Sequence, residues 1–174
     1  MKKTLTLLFT LLFLASSLLV AAEFEDQHQQ PSCLYCGMDR IKFGHSRILI
    51  EYEKNPSVAV CSLHCAAIEL ALGVEKTPTN ILVGDFNSRQ LIDAEEAFWV
   101  IGGKKPGVMT LRGKWAFSDN NAAESFVSSN GGIITDFDHA MRASYEDMYK
   151  DTMMIRNKRK MKRMKMQQMR HGKK

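Results

Sequence analysis

Four cysteines in two closely spaced pairs are the residues of this chain best suited to chemistry. Cys33 and Cys36 form a Cys-x-x-Cys pair with Met38 two residues further on, and Cys61 and Cys65 are separated by three residues. Thiolate and thioether sulfurs select Cu(I) and related soft ions, whereas a site for Mg²⁺ or Ca²⁺ would gather carboxylates. The spacing therefore indicates a site for a soft metal ion.

Three other uses of the four cysteines stay open at this point. Two disulfides are common in small exported domains, although closing a Cys-x-x-Cys loop constrains the unfolded chain little. A structural Zn²⁺ site accepts four thiolates from two such pairs. Thiol–disulfide exchange would use Cys33 and Cys36, but a redox pair of this kind normally begins a helix, and here Gly37 follows directly.

Further candidate ligands lie beside the second pair and in a later loop. Cys61 is expected to end a strand and Cys65 to lie in the first turn of a helix, where the helix dipole favours a thiolate. His64 lies in the same turn. The helix dipole disfavours the protonated imidazolium there, which leaves a neutral ring nitrogen available for a metal. Met38 and Met109 are the thioether candidates.

The elements that must position these residues follow a repeated pattern of strand, strand, helix and strand. We expect an α+β fold of two related small ββαβ units packed together, followed by a C-terminal helix and a basic, methionine-rich arm. The first unit covers residues 33–83, with strands at 47–52, 57–61 and 81–83 and a helix at 63–72 capped by Ser62. The second covers residues 84–137, with strands at 97–101, 114–117 and 133–135 and a helix from a Ser118 cap to about Ser128.

The C-terminal segment divides into two parts of different character. Residues 138–156 have apolar side chains at three-four spacing and predict an amphipathic helix. Residues 157–174 have only methionines among Lys and Arg, so we expect a solvated or disordered arm. Its methionines could act as apolar filler at an interaction face or as weak thioether sites for copper.

Charge is distributed unevenly along the chain. Residues 23–150 carry twelve Lys and Arg against eighteen acids, whereas residues 151–174 carry ten against one. A basic arm of this kind could meet an acidic partner protein or the anionic surface of a membrane. Nucleic acid is not expected as a partner, because no aromatic residue follows Tyr149 to stack on bases.

The first residues predict export. Two lysines precede an apolar run at residues 5–19, and small residues at 20–22 form a cleavage site, so residues 1–22 are expected to be a signal peptide. A retained N-terminal anchor is the alternative. Residues 23–32 are expected to be a polar linker, and no later stretch is apolar enough to span a bilayer. The expected location is the periplasm.

Several motifs, in this order, resemble the NosL family of nitrous-oxide-reductase accessory proteins. They are Cys33-x-x-Cys36-Gly37-Met38, Cys61 at a strand end, Pro106-Gly107-Val108-Met109, Trp115-Ala116-Phe117, Ala122-Ala123-x-x-Phe126 and Gly131-Gly132. The resemblance implies a non-enzymatic periplasmic copper chaperone of denitrification. Such a protein hands Cu(I) to an ABC-type maturation complex, and so to the copper-sulfide centre of nitrous oxide reductase.

Two features depart from the family's pattern, namely the second cysteine pair and the basic arm. They leave room for a relative that serves another copper enzyme or copper tolerance. We therefore predict a metallochaperone whose Cu(I) site has low coordination, because a partner's ligand can then enter before the donor's ligands leave. The predicted ligands are Cys33, Cys36, Met38 and Met109, with Cys61, His64 and Cys65 as reserve or second-metal ligands.

Overall fold

The computed structural model describes residues 25–171. In chain order the elements are α1 (Glu25–Gln29), β1 (Ile48–Tyr52), β2 (Val58–Val60), α2 (Leu63–Leu72), β3 (Pro78–Gly84), β4 (Leu91–Asp93), β5 (Phe98–Ile101), β6 (Lys114–Phe117), α3 (Asn120–Asn130), β7 (Ile133–Thr135) and α4 (Phe137–His171). The predicted signal peptide, residues 1–22, lies outside the described residues.

The strands form two small antiparallel sheets. The first has the order β2-β1-β3-β4 and the second the order β6-β5-β7. In the first sheet Ile48 lies opposite Val60 on one side and opposite Val83 on the other. In the second sheet Val100 lies between Trp115 and Ile134. Each sheet carries one of the short helices, so the α+β class predicted from the sequence is confirmed.

Two elements were not predicted. Strand β4 pairs with β3, with Val83 opposite Ile92, so the first sheet extends beyond the predicted boundary between residues 83 and 84. Helix α1 lies in the segment predicted to be a linker, and its Gln27 is buried. Elements of three and five residues are too short to show a hydrophobic period.

The two short helices begin with different caps. Helix α2 has the predicted bounds, but the Ser62 side chain makes no capping hydrogen bond. Helix α3 is capped by Asp119 and not by Ser118, because the Asp119 carboxylate accepts a hydrogen bond of 2.9 Å from the backbone N–H of Ala122. Aspartate is as good a cap as serine, so composition alone does not decide between neighbours.

The two sheets share one core. The Phe86 ring, in the loop after β3, lies 4.9 Å from the ring of Phe126 and 5.5 Å from the rings of Trp115, measured between centroids. Next to it, the Asp85 carboxylate accepts a hydrogen bond of 2.9 Å from the backbone N–H of Ser118. These contacts bury the loop of the first unit against the second, so neither unit has a separate core.

Helix α4 runs unbroken through the predicted division at residue 156. Its first part packs on the body, where Ala140 and Ala143 are buried, and its second part is exposed. The segment predicted to be a solvated or disordered arm is therefore solvated over residues 157–170 and helical as far as His171. Within residues 25–171, no helix is both long and apolar enough to cross a membrane.

Candidate metal centre

The two cysteine pairs meet in one cluster. The four sulfur atoms of Cys33, Cys36, Cys61 and Cys65 all lie within 4.8 Å of one another. The Sγ atoms of Cys36 and Cys61 are 3.4 Å apart, and those of Cys61 and Cys65 are 3.9 Å apart. All four are free thiols, so the structure does not contain the disulfides that the sequence left open.

These spacings fit one metal ion. A Zn–S bond of about 2.3 Å places tetrahedral thiolates about 3.8 Å apart, close to the separations found here. Soft thiolates suit Cu(I) as well as Zn²⁺. The donor set therefore matches a single soft or borderline cation, and the hard ions are excluded by its lack of oxygen ligands.

The first pair is held by a tight turn. The backbone N–H of Cys33 donates to the carbonyl of Met38 at 2.8 Å, and the N–H of Gly37 donates to the carbonyl of Cys33 at 2.9 Å. Gly37 has φ of 71°, a left-handed conformation that glycine adopts without a steric penalty. The turn points both thiols of the pair toward the same side.

The second pair is deeply buried at the junction of β2 and α2. Cys61 and Cys65 are 0% and 1% exposed, and Cys33 is 3% exposed. The Ser46 hydroxyl donates to the carbonyl of Cys61 at 2.9 Å and fixes the end of the strand. Cys36 is only partly buried. A metal ion in the cluster would therefore be reached from the side of Cys36.

The thiols control one another's ionisation. Hydrogen bonds from the other three thiols, that of Cys36 first, lower the pKa of Cys33 despite its burial. Hydrogen bonds with Cys33 and then with Cys36 raise the pKa of both Cys61 and Cys65. A hydrogen bond with Cys33 raises the pKa of Cys36, but those with Cys61 and Cys65 outweigh it and lower that pKa. The metal-free cluster thus favours thiolate character in the pair Cys33 and Cys36 and neutral thiols at Cys61 and Cys65. A bound cation would displace the remaining protons, so metal binding is expected to release protons.

A buried ionic network, invisible in the sequence, supports the cluster from α1. The Asp26 carboxylate lies 2.5 Å from Nη2 of Arg40 and 2.9 Å from Nε of Arg47, and both guanidinium groups are fully buried. Arg40 also donates from Nε to the carbonyl of Val60 at 3.2 Å, directly before Cys61. The residues of the predicted linker therefore hold the strand that carries a candidate ligand.

A second network ties the Cys-x-x-Cys turn to α2. Glu69 is 2% exposed and accepts hydrogen bonds from the hydroxyls of Tyr35 and Tyr52, the latter at 2.9 Å. Lys76 donates to the same carboxylate at 2.8 Å. Burial raises the pKa of Glu69, but the hydrogen bonds from Lys76 and the two tyrosines outweigh burial and lower it below its usual range. Tyr35 lies between the two cysteines of the turn, so the carboxylate fixes the turn against the helix.

His64 does not join the thiols. The group of side chains able to share one ion does not include it, and its Nδ1 lies 3.5 Å from Oδ2 of Asp151 on α4. Successive helical residues point about 100° apart, which turns His64 away from Cys65 and toward α4. Burial lowers the pKa of His64 and opposes the attraction of Asp151. His64 thus lies outside the four-thiol group, and its assignment as a reserve or second-metal ligand stays a prediction.

Met38 and Met109 line a cavity that reaches the cluster at Cys36. The cavity has a volume of about 400 Å³, and Cys36 forms part of its wall. Met154, Lys158 and Arg159 of α4 line the same cavity. The structure thus brings together the predicted thioether candidates and adds a third methionine that sequence spacing could not place.

Comparison with known proteins identifies similar chains. The NosL family model matches residues 24–145. A crystal structure of the copper chaperone NosL from Shewanella denitrificans is 23% identical, with a TM-score of 0.51, over 63% of this chain and 88% of that one. The solution structure of apo-NosL from Achromobacter cycloclastes is 26% identical, with a TM-score of 0.37, over 52% of this chain and 81% of that one. No curated protein matches significantly.

Proposed function

Because the chain belongs to the NosL family, we propose that it is an exported copper-binding chaperone that carries Cu(I) on its four-thiol cluster and catalyses no reaction of its own. The family membership confirms the resemblance seen in the sequence motifs. The function rests on one observation above all, which is the convergence of four sulfur atoms within 4.8 Å.

The arrangement of the cluster supports carriage and release. Three thiols are buried and would protect the ion from water and oxidants, while partly buried Cys36 faces a cavity. A ligand from a partner could therefore bind the copper ion beside Cys36 before the three buried thiols dissociate from it. Four thiolates can also hold Zn²⁺ in a closed structural site, so zinc is the competing cargo.

The client of this chaperone is proposed to be a copper enzyme matured outside the cytoplasm. The family name favours nitrous oxide reductase, reached through an ABC-type maturation complex. The second cysteine pair and the basic arm are the features by which this chain could serve a different copper enzyme. Both possibilities require the same periplasmic location, which the predicted signal peptide supports.

The test is a Cu(I) titration of the reduced protein against a competing chelator. We expect one tightly bound Cu(I), with sulfur-to-copper charge-transfer absorption that Cys36→Ser weakens or removes, and poor competition by Zn²⁺. Melting temperature is the control for folding of the variant. Stoichiometric Zn²⁺ that survives purification and is needed for folding would instead support a zinc-stapled adaptor. Turnover of a disulfide substrate that Cys33→Ala abolishes would support an oxidoreductase.

We also propose that the basic arm docks on an acidic protein partner. Between residues 157 and 171 the exposed helix carries seven Lys and Arg and no acid. Such a surface accelerates encounter with an acidic protein, and the effect is screened over about 8 Å at physiological salt.

Charge-neutralising substitutions test this docking. Changing Lys160, Lys162, Arg163 and Lys165 together to Gln should leave the melting temperature and the primary Cu(I) affinity unchanged but slow delivery at low salt. The difference should shrink as ionic strength rises. The matched control changes Met161, Met164, Met166 and Met169 to Leu, which keeps the charge. Binding to anionic vesicles but not to the protein client would assign the arm to a membrane surface instead.

A further inference from the structure

Tyr35 stands directly before Cys36 and joins the Cys-x-x-Cys turn to α2. Its hydroxyl donates to Oε2 of Glu69, which is 2% exposed. Gly37, directly after Cys36, has the left-handed φ of 71°. Cys36 therefore lies between a residue fixed to a buried carboxylate and a glycine. We propose that Tyr35 is a positioning residue for metal transfer, whose contact with Glu69 holds the Cys36 sulfur beside the buried thiols and sets how fast a bound ion leaves. This inference deepens the proposed function and rests on it.

The acceptor of this hydrogen bond is itself firmly held. The other oxygen of Glu69, Oε1, accepts hydrogen bonds of 2.9 Å from the hydroxyl of Tyr52 on β1 and of 2.8 Å from Lys76. Hydrogen bonds to an ionised acceptor are stronger than neutral ones, and a buried carboxylate oxygen that loses its donor remains out of water. The phenol of Tyr35 is thus bound to a fixed point of the core and not to a mobile surface group.

Cys33 and the first half of the turn are anchored by a different contact. The backbone N–H of Leu34 donates to the carbonyl of Ala59 on β2 at 3.3 Å. Cys33 is 3% exposed, whereas Cys36 is only partly buried. Loss of the Tyr35 contact should therefore free Cys36 and leave Cys33 in place. The two cysteines of one motif differ in the contact that fixes them.

Movement of Cys36 is the movement that opens the cluster. Its Sγ lies 3.4 Å from that of fully buried Cys61, and its side chain lines the cavity of about 400 Å³. Arg159 of α4 also donates to the carbonyl of Cys36, but a distance of 3.5 Å makes this contact weak.

Transfer from this position is a ligand exchange. A thiolate of the receiving molecule bonds to Cu(I) as the bond to the Cys36 sulfur breaks. The freed Cys36 thiolate takes a proton from water, and copper remains Cu(I) throughout. Because a mobile Cys36 dissociates more often, a turn that is held less firmly should lose the ion faster.

The matched variants Tyr35→Phe and Tyr52→Phe test the proposal. Each removes one O–H donor to Glu69 and keeps the ring, but Tyr52 lies on β1, outside the turn, and Lys76 remains on the oxygen that it leaves. In the reduced, metal-free protein, iodoacetamide should alkylate Cys36 about tenfold faster in Tyr35→Phe, because a hydrogen bond to a charged group is lost. Cys33 should react at its original rate, and Tyr52→Phe should change neither rate.

The four cysteines report separately when the alkylated peptides are quantified by mass spectrometry. A merely structural contact would lower the melting temperature without favouring one thiol. Equal rates at Cys36 in all three proteins would therefore overturn the proposal. A uniform rise at all four cysteines would also overturn it, because that pattern reports general loosening of the fold.

Copper transfer is the second readout and separates this inference from the proposed cargo. In the full chain carrying one Cu(I), Tyr35→Phe should raise the rate of transfer to a chelator about tenfold, and Tyr52→Phe should not. Faster alkylation of Cys36 in a protein that binds no Cu(I) would uphold the positioning of Cys36 by Tyr35 although copper carriage had failed. Tight Cu(I) binding with neither rate changed by Tyr35→Phe would refute this role of Tyr35 although copper carriage stood.

Discussion

Replacing Asp26 with alanine should be among the most destabilising single changes in this protein. Its carboxylate is 6% exposed and is shared by two guanidinium groups, those of Arg40 and Arg47, which are 0% exposed. The substitution would remove the carboxylate that both buried guanidinium groups share. Removing one partner of a buried ion pair costs about 3–5 kcal/mol, because the other charge stays desolvated.

The remaining contacts set the size of the effect. Arg40 keeps hydrogen bonds to the carbonyls of Asp26, Gln30 and Val60. Arg47 keeps hydrogen bonds to the carbonyl of Gly44, at 3.0 Å, and to that of Arg89. These carbonyl oxygens satisfy N–H groups of the two arginines, but they carry no negative charge that could replace the Asp26 carboxylate. We therefore expect a loss of about 3–4 kcal/mol, or about 10 °C in melting temperature for a chain of this size. Asp26→Asn, which keeps one oxygen acceptor, should lose less.

The assay is urea unfolding of the reduced, metal-free protein. Glu25→Ala is the matched control, because Glu25 is exposed and its carboxylate accepts a hydrogen bond of 2.9 Å from the side chain of exposed Gln29. It should change the free energy of unfolding by less than about 0.5 kcal/mol. A loss below about 1 kcal/mol in Asp26→Ala would show that the two arginines reach solvent or another acceptor, and the assignment of α1 as an anchor would be wrong.

Two further predictions follow from other buried contacts. Because hydrogen bonds hold the pKa of Glu69 below its ordinary value, its contribution to stability is complete above about pH 4.3 and is lost as the pH falls through the lower folded pKa. Glu69→Gln should therefore reduce the loss of unfolding free energy on acidification, and an unchanged pH slope would contradict this. Gly84→Ala would bring a Cβ to 2.0 Å from the carbonyl oxygen of Gly44 and should cost about 3 kcal/mol in urea unfolding. Gly102→Ala, which meets nothing within 4 Å but has φ of 87°, should cost only about 1 kcal/mol, and equal losses would rule out the clash.

The fold could be predicted where local signals and packing agree. Helix α2 and strands β6 and β7 have the predicted bounds, because a terminal glycine or a compact apolar run marks their ends. Helix α1 could not be predicted, since it is stabilised by arginines that follow it in the chain and not by its own periodicity. Of the two alternatives expected for the arm, the structure has the solvated one, and the arm is helical because no glycine or proline interrupts the segment up to His171.

The site was predictable in its chemistry and less so in its geometry. Two cysteine pairs predicted a soft-metal site, and the structure brings all four sulfurs together. From the sequence, His64 was grouped with Cys61 and Cys65 because the three are close in the chain. In the helix, however, the side chain of His64 is directed toward Asp151. Met154 could not be identified from its spacing, because its contribution depends on how α4 lies across the cavity.

The continuity of α4 has a geometric consequence for any complex that the protein forms. A helix rises about 1.5 Å and turns about 100° per residue, so the 35 residues from Phe137 to His171 make one rod about 50 Å long. The rotation about the axis of α4 therefore fixes the direction of each basic side chain relative to the cavity that Met154 lines. Inserting one residue after Arg156 would rotate the outer positive charges by about 100° around the helix axis, whereas inserting seven would nearly restore their original direction. A partner that binds the outer part of α4 would therefore meet the opening of the cavity in one fixed orientation.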